Sequence, residues 1–387
     1  MRNVKVLVHI LDEYNDENIL TTFKYSPERV IFLREDTEEK QKIFKEVKTY
    51  LRKKVENIIV EDRIYDGQHL KSIVNVIDSI LPLKPAIHLS KLDNPLVMIM
   101  LAQRAWANNL SLLVSNGDNN DIYKILKDGS YIINTNSLHL NIEDLIVSTG
   151  GKIISETTST YDREEYFKAV EWIVENYKTF KTAKNIIRTK KVISVVNEVE
   201  PLVVSVSFSG LNPWEKDALI SYINYFKKSR FLKITGGVNG KHLELKIKDD
   251  EAKAFFYCSG TWLELLTYKT IKEMNIAHDL RMGVKFVWDN SSTDIINELD
   301  VVFTRNNKLC CISCKDTSNY EAPELNELEV YSNKIGGDSS GKILIATSVS
   351  KKVITDQRAQ EMGINLIIFR GNLKRLENEI KNIALSL

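Results

Sequence analysis

Cysteine is scarce: the 387 residues contain Cys258, Cys310, Cys311 and Cys314, three of them inside one apolar run, LCCISCK. A disulfide framework is therefore excluded, and a reducing, cytoplasmic setting is expected. Zinc gains no support, because Cys311 and Cys314 stand three apart, on opposite faces of a strand, with no second Cys/His pair nearby. They read as small core residues. No apolar run reaches the length of a membrane span, and the opening VKVLVHIL is too short to be one and lacks a cleavage pattern. No membrane partner is expected. There is no G-x-G-x-x-G and no G-x-x-x-x-G-K-[ST], so a dinucleotide or P-loop ATP site is unsupported. Charge of one sign is missing too: 53 Lys and Arg against 52 Asp and Glu leave a net +1 that conceals any local basic surface.

What is present is regular alternation. Segments 4–11, 29–33, 57–62, 85–90 and 110–114 read as strands, and 37–54, 66–80 and 95–107 as helices. Short apolar strands separated by helices predict an α/β, Rossmann-like domain with a parallel, doubly wound sheet. In such sheets ligands sit beyond the carboxyl ends of the strands, where strand order reverses. Two loops are placed there, LDEYNDEN (11–18) and SKLDNP (90–95), the second leading into a helix N-terminus that favours an anion. The candidate ligand residues are Leu11, Asp12, Glu13, Tyr14, Asn15 and Asn18 in the first, and Ser90, Lys91, Asp93 and Asn94 in the second. Asp, Asn and Pro also make ordinary solvated turns, which is the competing account of both loops. The Gly-, Ser- and Thr-rich stretch around 140–165 reads as a boundary. Helices follow over 163–180 and 182–193, and Lys184, Arg188, Lys190 and Lys191 read as a solvated basic face. From about 196 onward, further strands and helices predict one mixed sheet.

Within that second half, Asn306 and Asn307 separate two short strands, a hairpin signal. Closing the turn there pairs Arg305 with Lys308, Val302 with Cys311, Asp300 with Ser313 and Glu298 with Lys315. Alternation then puts Glu298, Asp300, Ser313 and Lys315 on one face, and Leu299, Val301, Ile312 and Cys314 on the other. Two carboxylates beside a lysine suit either a cross-strand ion pair or a site for a divalent cation and an attacking water, with oxygen ligands matching Mg²⁺ or Mn²⁺. The segment GTWLELL adds Glu264, an acid in an otherwise apolar helix. Nearby Trp262 and Tyr268 read either as core or as stacking platforms for unpaired bases.

GTWLE (260–264), NELD (297–300), ISCK (312–315) and NELEVYSNKIGG (326–337) occur in an order that resembles the PD-(D/E)xK, restriction-endonuclease-like domain of the type III CRISPR ancillary nucleases. The resemblance implies an N-terminal CARF domain (1–140) that binds cyclic oligoadenylate, linker helices (141–195) and a mixed-sheet nuclease domain (196–387). It implies metal ligation by Asp300 with Glu264 in support, Lys315 as the catalytic lysine, and Glu327 and Tyr331, one helical turn apart, beside the site. It further implies Mn²⁺- or Mg²⁺-dependent cleavage of DNA, and of RNA as a further candidate substrate, in antiviral defence. The switch would be cyclic tetra-adenylate, in preference to cyclic hexa-adenylate, acting across a homodimer. Two positions depart from the pattern. Ser313 stands where an acid is usual, and Glu298, opposite Lys315 in the derived register, is the expected substitute, with Glu264 and the Cys314 carbonyl as the other candidates. SKLDNP replaces a turn rich in Gly and Thr, which leaves the ring size open. Ser313 also keeps open a sensing dimer that binds nucleic acid without cutting it. A constitutive nuclease with an α/β docking domain is the third reading.

Overall fold

The computed structural model describes residues 4–90, 95–116, 121–134, 137–237, 241–257, 260–288, 295–318, 320–351 and 353–387. Cys258 lies outside them. Among these residues three sheets form. The first holds β1 (Val6–Ile10), β2 (Arg29–Glu35), β3 (Ile59–Tyr65), β4 (Ala86–Leu89), β5 (Ser111–Asn116), β6 (Asp121–Ile125) and β7 (Tyr131–Asn134), ordered β3-β2-β1-β4-β5-β6-β7. Strands β1 to β5 run parallel, and β6 and β7 add an antiparallel ribbon at one edge. The expected doubly wound α/β sheet is present, and its order reverses between β1 and β4. Four helices alternate with the parallel strands: α1 (Asp16–Tyr25), α2 (Glu38–Lys54), α3 (Leu70–Ile80) and α4 (Pro95–Ala107). The sequence reading stopped short in two places. The loop after β1 ends at Asn15, where α1 begins. The β6–β7 ribbon carries Tyr131, Ile132 and Ile133 about half exposed, so it lacked the burial pattern that marks a strand.

The stretch expected as a boundary is built into the fold. It forms α5 (Ile142–Ser148) and β8 (Lys152–Ser155), followed by α6 (Thr158–Tyr161), α7 (Glu164–Glu175) and α8 (Tyr177–Thr189). The break between the last two falls at Asn176, five residues before the one expected. A separate antiparallel sheet comes next: β9 (Ile193–Val195), β10 (Val203–Ser207), β11 (Leu232–Gly236) and β12 (His242–Ile247), ordered β11-β12-β10-β9 and packed against α9 (Pro213–Lys228). A single sheet had been expected here. Alternation marks a strand but does not say which strands pair.

The third sheet follows α10 (Asp250–Phe256) and α11 (Thr261–Met274). It contains β13 (Asp279–Val287), β14 (Asn297–Arg305), β15 (Lys308–Lys315), β16 (Gly341–Ala346) and β17 (Asn365–Ile368), interleaved with α12 (Ala322–Gly336) and α13 (Val353–Glu361) and closed by α14 (Leu373–Leu385). Its order is β17-β16-β15-β14-β13-β8, so its last strand comes from the supposed linker. Asn306 and Asn307 both have positive φ, 50° and 62°, the conformation of a type I′ turn. The register is the derived one, with Val302 opposite Cys311 and Arg305 opposite Lys308.

Strict alternation, however, fails at one point. Val301 and Met282 face one core, whereas their ladder neighbours Leu299 and Val284 face another. Gly283, at φ +57°, reverses the facing of β13 there, and a side chain at that position would also collide with Thr157 Oγ1 at 2.2 Å. Leu299 and Val301 therefore do not share a face as expected, and Asp300 sits at the reversal. Cys310 and Cys314 pack into one core and Cys311 into the other, as free, buried thiols.

Helix α5 joins the halves. It touches α1 and α2 on one side and α12, β13 and β14 on the other, and six of its seven residues are buried. Its N-terminus is pinned by Asp279, whose Oδ2 accepts the Ile142 N–H at 2.9 Å, and by Asn307, whose Oδ1 accepts the Leu140 N–H at 2.7 Å. Its Asp144 accepts the Tyr50 hydroxyl at 2.7 Å. One apolar core thus runs from Leu7, Val30 and Phe32 of the first sheet to Phe286, Val302 and Leu344 of the third. Phe286, fully buried and edge-on to Trp288 at 4.8 Å, stands in it. Phe286→Ala is expected to cost about 3–5 kcal/mol, read as a lowered midpoint of urea unfolding; a midpoint unchanged from wild type would contradict the shared core.

Candidate functional site

The β14–β15 ladder ends at Val301 and Ile312. Beyond it the Cys314 N–H donates to Asp300 Oδ2 at 2.8 Å, and the Ser313 hydroxyl donates to the same oxygen at 3.3 Å. A carboxylate has taken the place of a strand carbonyl, so the strands part and open a site between their ends. Lys315 is the last residue of β15. Glu264 reaches in from the first turn of α11, where Trp262, Leu263, Leu265 and Leu266 are all buried around it.

The electrostatics tie these groups together. Burial, then Asp300, then Glu298 push Glu264 up to about 8, with Lys315 pulling the other way. Asp300 is also raised by burial, against Lys315 and the Cys314 N–H. Two carboxylates that resist ionising together are a place where added positive charge is favoured. The donor chemistry fits a hard divalent cation. A Cβ built on Gly260 would lie 3.4 Å from Glu264 Oε1 and 4.0 Å from the Cys314 carbonyl oxygen, so the missing side chain leaves space where those oxygens converge. Among the described residues no three Asp, Glu, His or Cys side chains close into a metal cage. A cation here would need the carbonyl as well as the carboxylates.

Of the other expected residues, Glu298 acts electrostatically on Glu264 and Asp300, whereas Glu327 and Tyr331 stand on α12. Glu298 is about half exposed at the rim, with its carboxylate 3.6 Å from Lys285 Nζ. Glu327 and Tyr331 bond to each other, the phenol donating at 3.0 Å, and Tyr331 packs on Phe286 and Trp288. Trp262 and Tyr268 are buried, which corrects the base-stacking alternative: both are core. Lys184 and Arg188 are not a solvated face either. They turn inward to Asp316, a buried acid that sequence reasoning missed although it follows Lys315 directly.

Residues 249–386 match the family model of the Card1-like endonuclease domain. The C-terminal part of the chain is thus similar to the Card1-like endonuclease domains. Across the whole chain the fold is shared with protein VC1899 from Vibrio cholerae, at 17% identity and a TM-score of 0.74, over 99% of this chain and 97% of that one. It is shared also with Can2 from Sulfobacillus thermosulfidooxidans, solved in complex with cyclic tetra-adenylate, at 15% identity and a TM-score of 0.68, over 98% and 99% of the two chains. No curated protein matches the sequence.

The sheet that precedes the Card1-like domain has its own candidate site, at the β1/β4 reversal. Leu11 lies in the core. Asn15 and Asn18 are buried and hold the loop: Asn15 donates to the Asp12 and Ser148 carbonyls at 2.7 and 3.0 Å, and Asn18 to the Ile10 carbonyl at 2.8 Å. Asp12 pairs with Lys40, while Glu13 and Tyr14 are exposed. The Tyr14 hydroxyl donates to the Asn333 carbonyl at 2.9 Å, so this loop touches α12 of the Card1-like domain. Ser90 is buried, and its hydroxyl has no partner among the described residues. Lys91, Asp93 and Asn94 lie outside the described residues.

Directly beneath the reversal are two fully buried histidines, His9 and His88, with Nδ1 atoms 3.0 Å apart. His88 Nδ1 also faces Asn18 Oδ1 at 3.1 Å, so that nitrogen carries the proton and His9 Nδ1 accepts. His9 Nε2 then donates to Thr22, and His88 Nε2 accepts from Ser115 at 2.6 Å. Burial holds His9 well below its ordinary 6.5, with His88 adding to the effect, and brings His88 to about 3. Both rings stay neutral in the fold while the unfolded chain takes up protons near 6.5, so acid favours unfolding. Stability is expected to fall between pH 7 and 5 with a slope of up to about 1.4 kcal/mol per pH unit for each histidine. Urea titrations across that range check this, and His88→Gln should flatten the slope; an equal slope in the variant would rule the pair out as its source.

Proposed function

We propose that the chain is a cyclic oligoadenylate-activated, metal-dependent nuclease of type III CRISPR defence, a homodimer cutting DNA, and RNA as a second candidate substrate, with little sequence preference. The observation that carries the reading is the opening at the parted ends of β14 and β15, where Asp300, Glu264 and Lys315 meet inside a Card1-like endonuclease domain. A fold shared end to end with Can2, solved with cyclic tetra-adenylate, supports placing the activator at the β1/β4 reversal, between the loop of Asp12 to Asn15 and the segment that begins at Ser90.

Asp300, Glu264 and the Cys314 carbonyl would hold Mg²⁺ or Mn²⁺, with Glu298 at the rim in support. When bound, such a cation acidifies water and neutralises charge on a phosphoryl oxygen. Lys315 orients the attacking water and balances the negative charge that develops on the phosphate. The Ser313 hydroxyl and the Cys314 N–H fix the Asp300 carboxylate, so Ser313 serves the site as a donor to Asp300 and Glu264 supplies the second acid. Among the described residues of the site none is placed to read base edges, which supports a weak sequence preference.

The test is incubation with supercoiled plasmid, single-stranded DNA and RNA, in Mn²⁺ or Mg²⁺, with and without cyclic tetra-adenylate or cyclic hexa-adenylate. Scission that needs both a metal and the tetra-adenylate ring is the expected result. Scission without any ring would make the first domain a docking module, and ring binding without scission would leave a sensor that only binds. Lys315→Ala, Asp300→Asn and Glu264→Gln should each lower kcat by about a hundredfold or more, and Glu298→Gln by less than about tenfold. A wild-type rate for Glu264→Gln with a deep loss for Glu298→Gln would reverse the assignment of the second acid.

A further inference from the structure

A carboxylate buried to 2% exposure directly after the proposed catalytic lysine needs a reason, because removing a charge from water is costly unless every lone pair is met. Asp316 meets them all. Its Oδ1 accepts from Lys184 and, at 3.0 Å, from the Thr347 hydroxyl. Its Oδ2 accepts the Trp262 indole N–H at 2.8 Å and faces Arg188 at 3.1 Å. Arg188 also donates to the Asp316 carbonyl at 2.8 Å.

Three elements therefore converge on a side chain carried by a fourth. Lys184 and Arg188 come from α8, Thr347 from the end of β16, Trp262 from the first turn of α11, and Asp316 from the end of β15. Trp262 is two residues before Glu264, and Asp316 is next to Lys315 and two residues after Cys314, whose N–H orients Asp300. The indole bond thus locks together the two elements that carry the opposing halves of the proposed site. Lys315 is held from the other side as well, its carbonyl accepting the Thr347 N–H at 3.2 Å. Phe180 of α8 packs edge-on to Trp262 at 4.9 Å, so the helix supports both ends of the bond.

We infer that Asp316 is a positioning residue: through Trp262 it sets Glu264 against Asp300 and Lys315, and through Lys184 and Arg188 it makes that setting depend on the seating of α8. The consequence for activity rests on the nuclease reading; the indole bond itself does not.

The experiment uses the full-length protein with Asp316→Asn and Trp262→Phe, singly and together. Trp262→Phe keeps an aromatic body in the core and removes only the donor. Each single variant is expected to lower the kcat of Mn²⁺-dependent cleavage by about tenfold or more, with KM for DNA within about twofold of wild type, and the double variant to lose little beyond either single one. Lys184→Arg should retain most of the activity that Lys184→Met loses. The Trp262 indole N–H resonance, assigned by its absence in Trp262→Phe, should move upfield in Asp316→Asn without any metal or nucleic acid present. Wild-type rates in folded variants, or losses that multiply in the double variant, would overturn the inference. If the wild type cuts nothing, the nuclease reading fails, and the resonance alone decides: an unmoved indole signal in Asp316→Asn sinks the inference as well. If Asp316→Asn does not fold, Trp262→Phe against Lys184→Arg and Lys184→Met decides it by the same criteria.

Discussion

Two asparagines in left-handed backbone, Asn306 and Asn307, set the register on which the candidate site depends. A two-residue turn of that type leaves no slack, and a slip of one residue would send every side chain of β14 to the wrong face. With the register held, Asp300 arrives where the Cys314 N–H can reach it, and the strands part at that point. The same turn also anchors the upstream chain, because the Asn307 side chain receives the Leu140 N–H. Local backbone chemistry thus sets both the opening of the site and the attachment of the segment leading in from the first sheet.

The site itself is a compromise between burial and charge. Glu264 and Asp300 lie where water is scarce, so burial raises both, and the charges of Asp300 and Glu298 raise Glu264 further, which favours added positive charge there. Lys315 supplies part of that charge, acting on both carboxylates from the end of β15. Close packing elsewhere makes such an arrangement hard to deform. Core runs without interruption from the first sheet through α5 to the third, and the first loop reaches α12 through Tyr14. A change at the β1/β4 reversal therefore meets packed side chains, which have low compressibility and pass displacement on.

Much of this was legible in the sequence because the signals were local. Apolar strands of the right length gave the doubly wound sheet, and the Asn-Asn turn gave the hairpin pairing from Arg305–Lys308 to Val302–Cys311; the expected pairs Asp300–Ser313 and Glu298–Lys315 fall beyond the end of the ladder. The acid in GTWLELL stood out because its neighbours were apolar. What escaped was non-local. Nothing near Gly283 announces that β13 reverses its facing there, since a glycine in a strand fits several roles. The Gly- and Thr-rich composition of 140–165 is that of a linker, yet burial of Ile142, Leu145 and Ile146 comes from partners far along the chain. Lys184 and Arg188 looked solvated because their partner, Asp316, lies more than a hundred residues away and is visible only once the helix has docked.

Strand β8 has a practical side. The family match begins at residue 249, whereas the sheet of that domain is completed by Lys152–Ser155. A fragment cut at the match boundary would leave β13, a long and mostly buried strand, with a bare row of N–H and C=O groups, the kind of edge that recruits another chain. It would also uncover the Gly283 reversal that Thr157 covers. The Card1-like region is therefore not a detachable cassette. Its outer wall is supplied by the polypeptide that arrives from the first sheet, and a dissection or domain graft that respects the fold has to cut before Lys152.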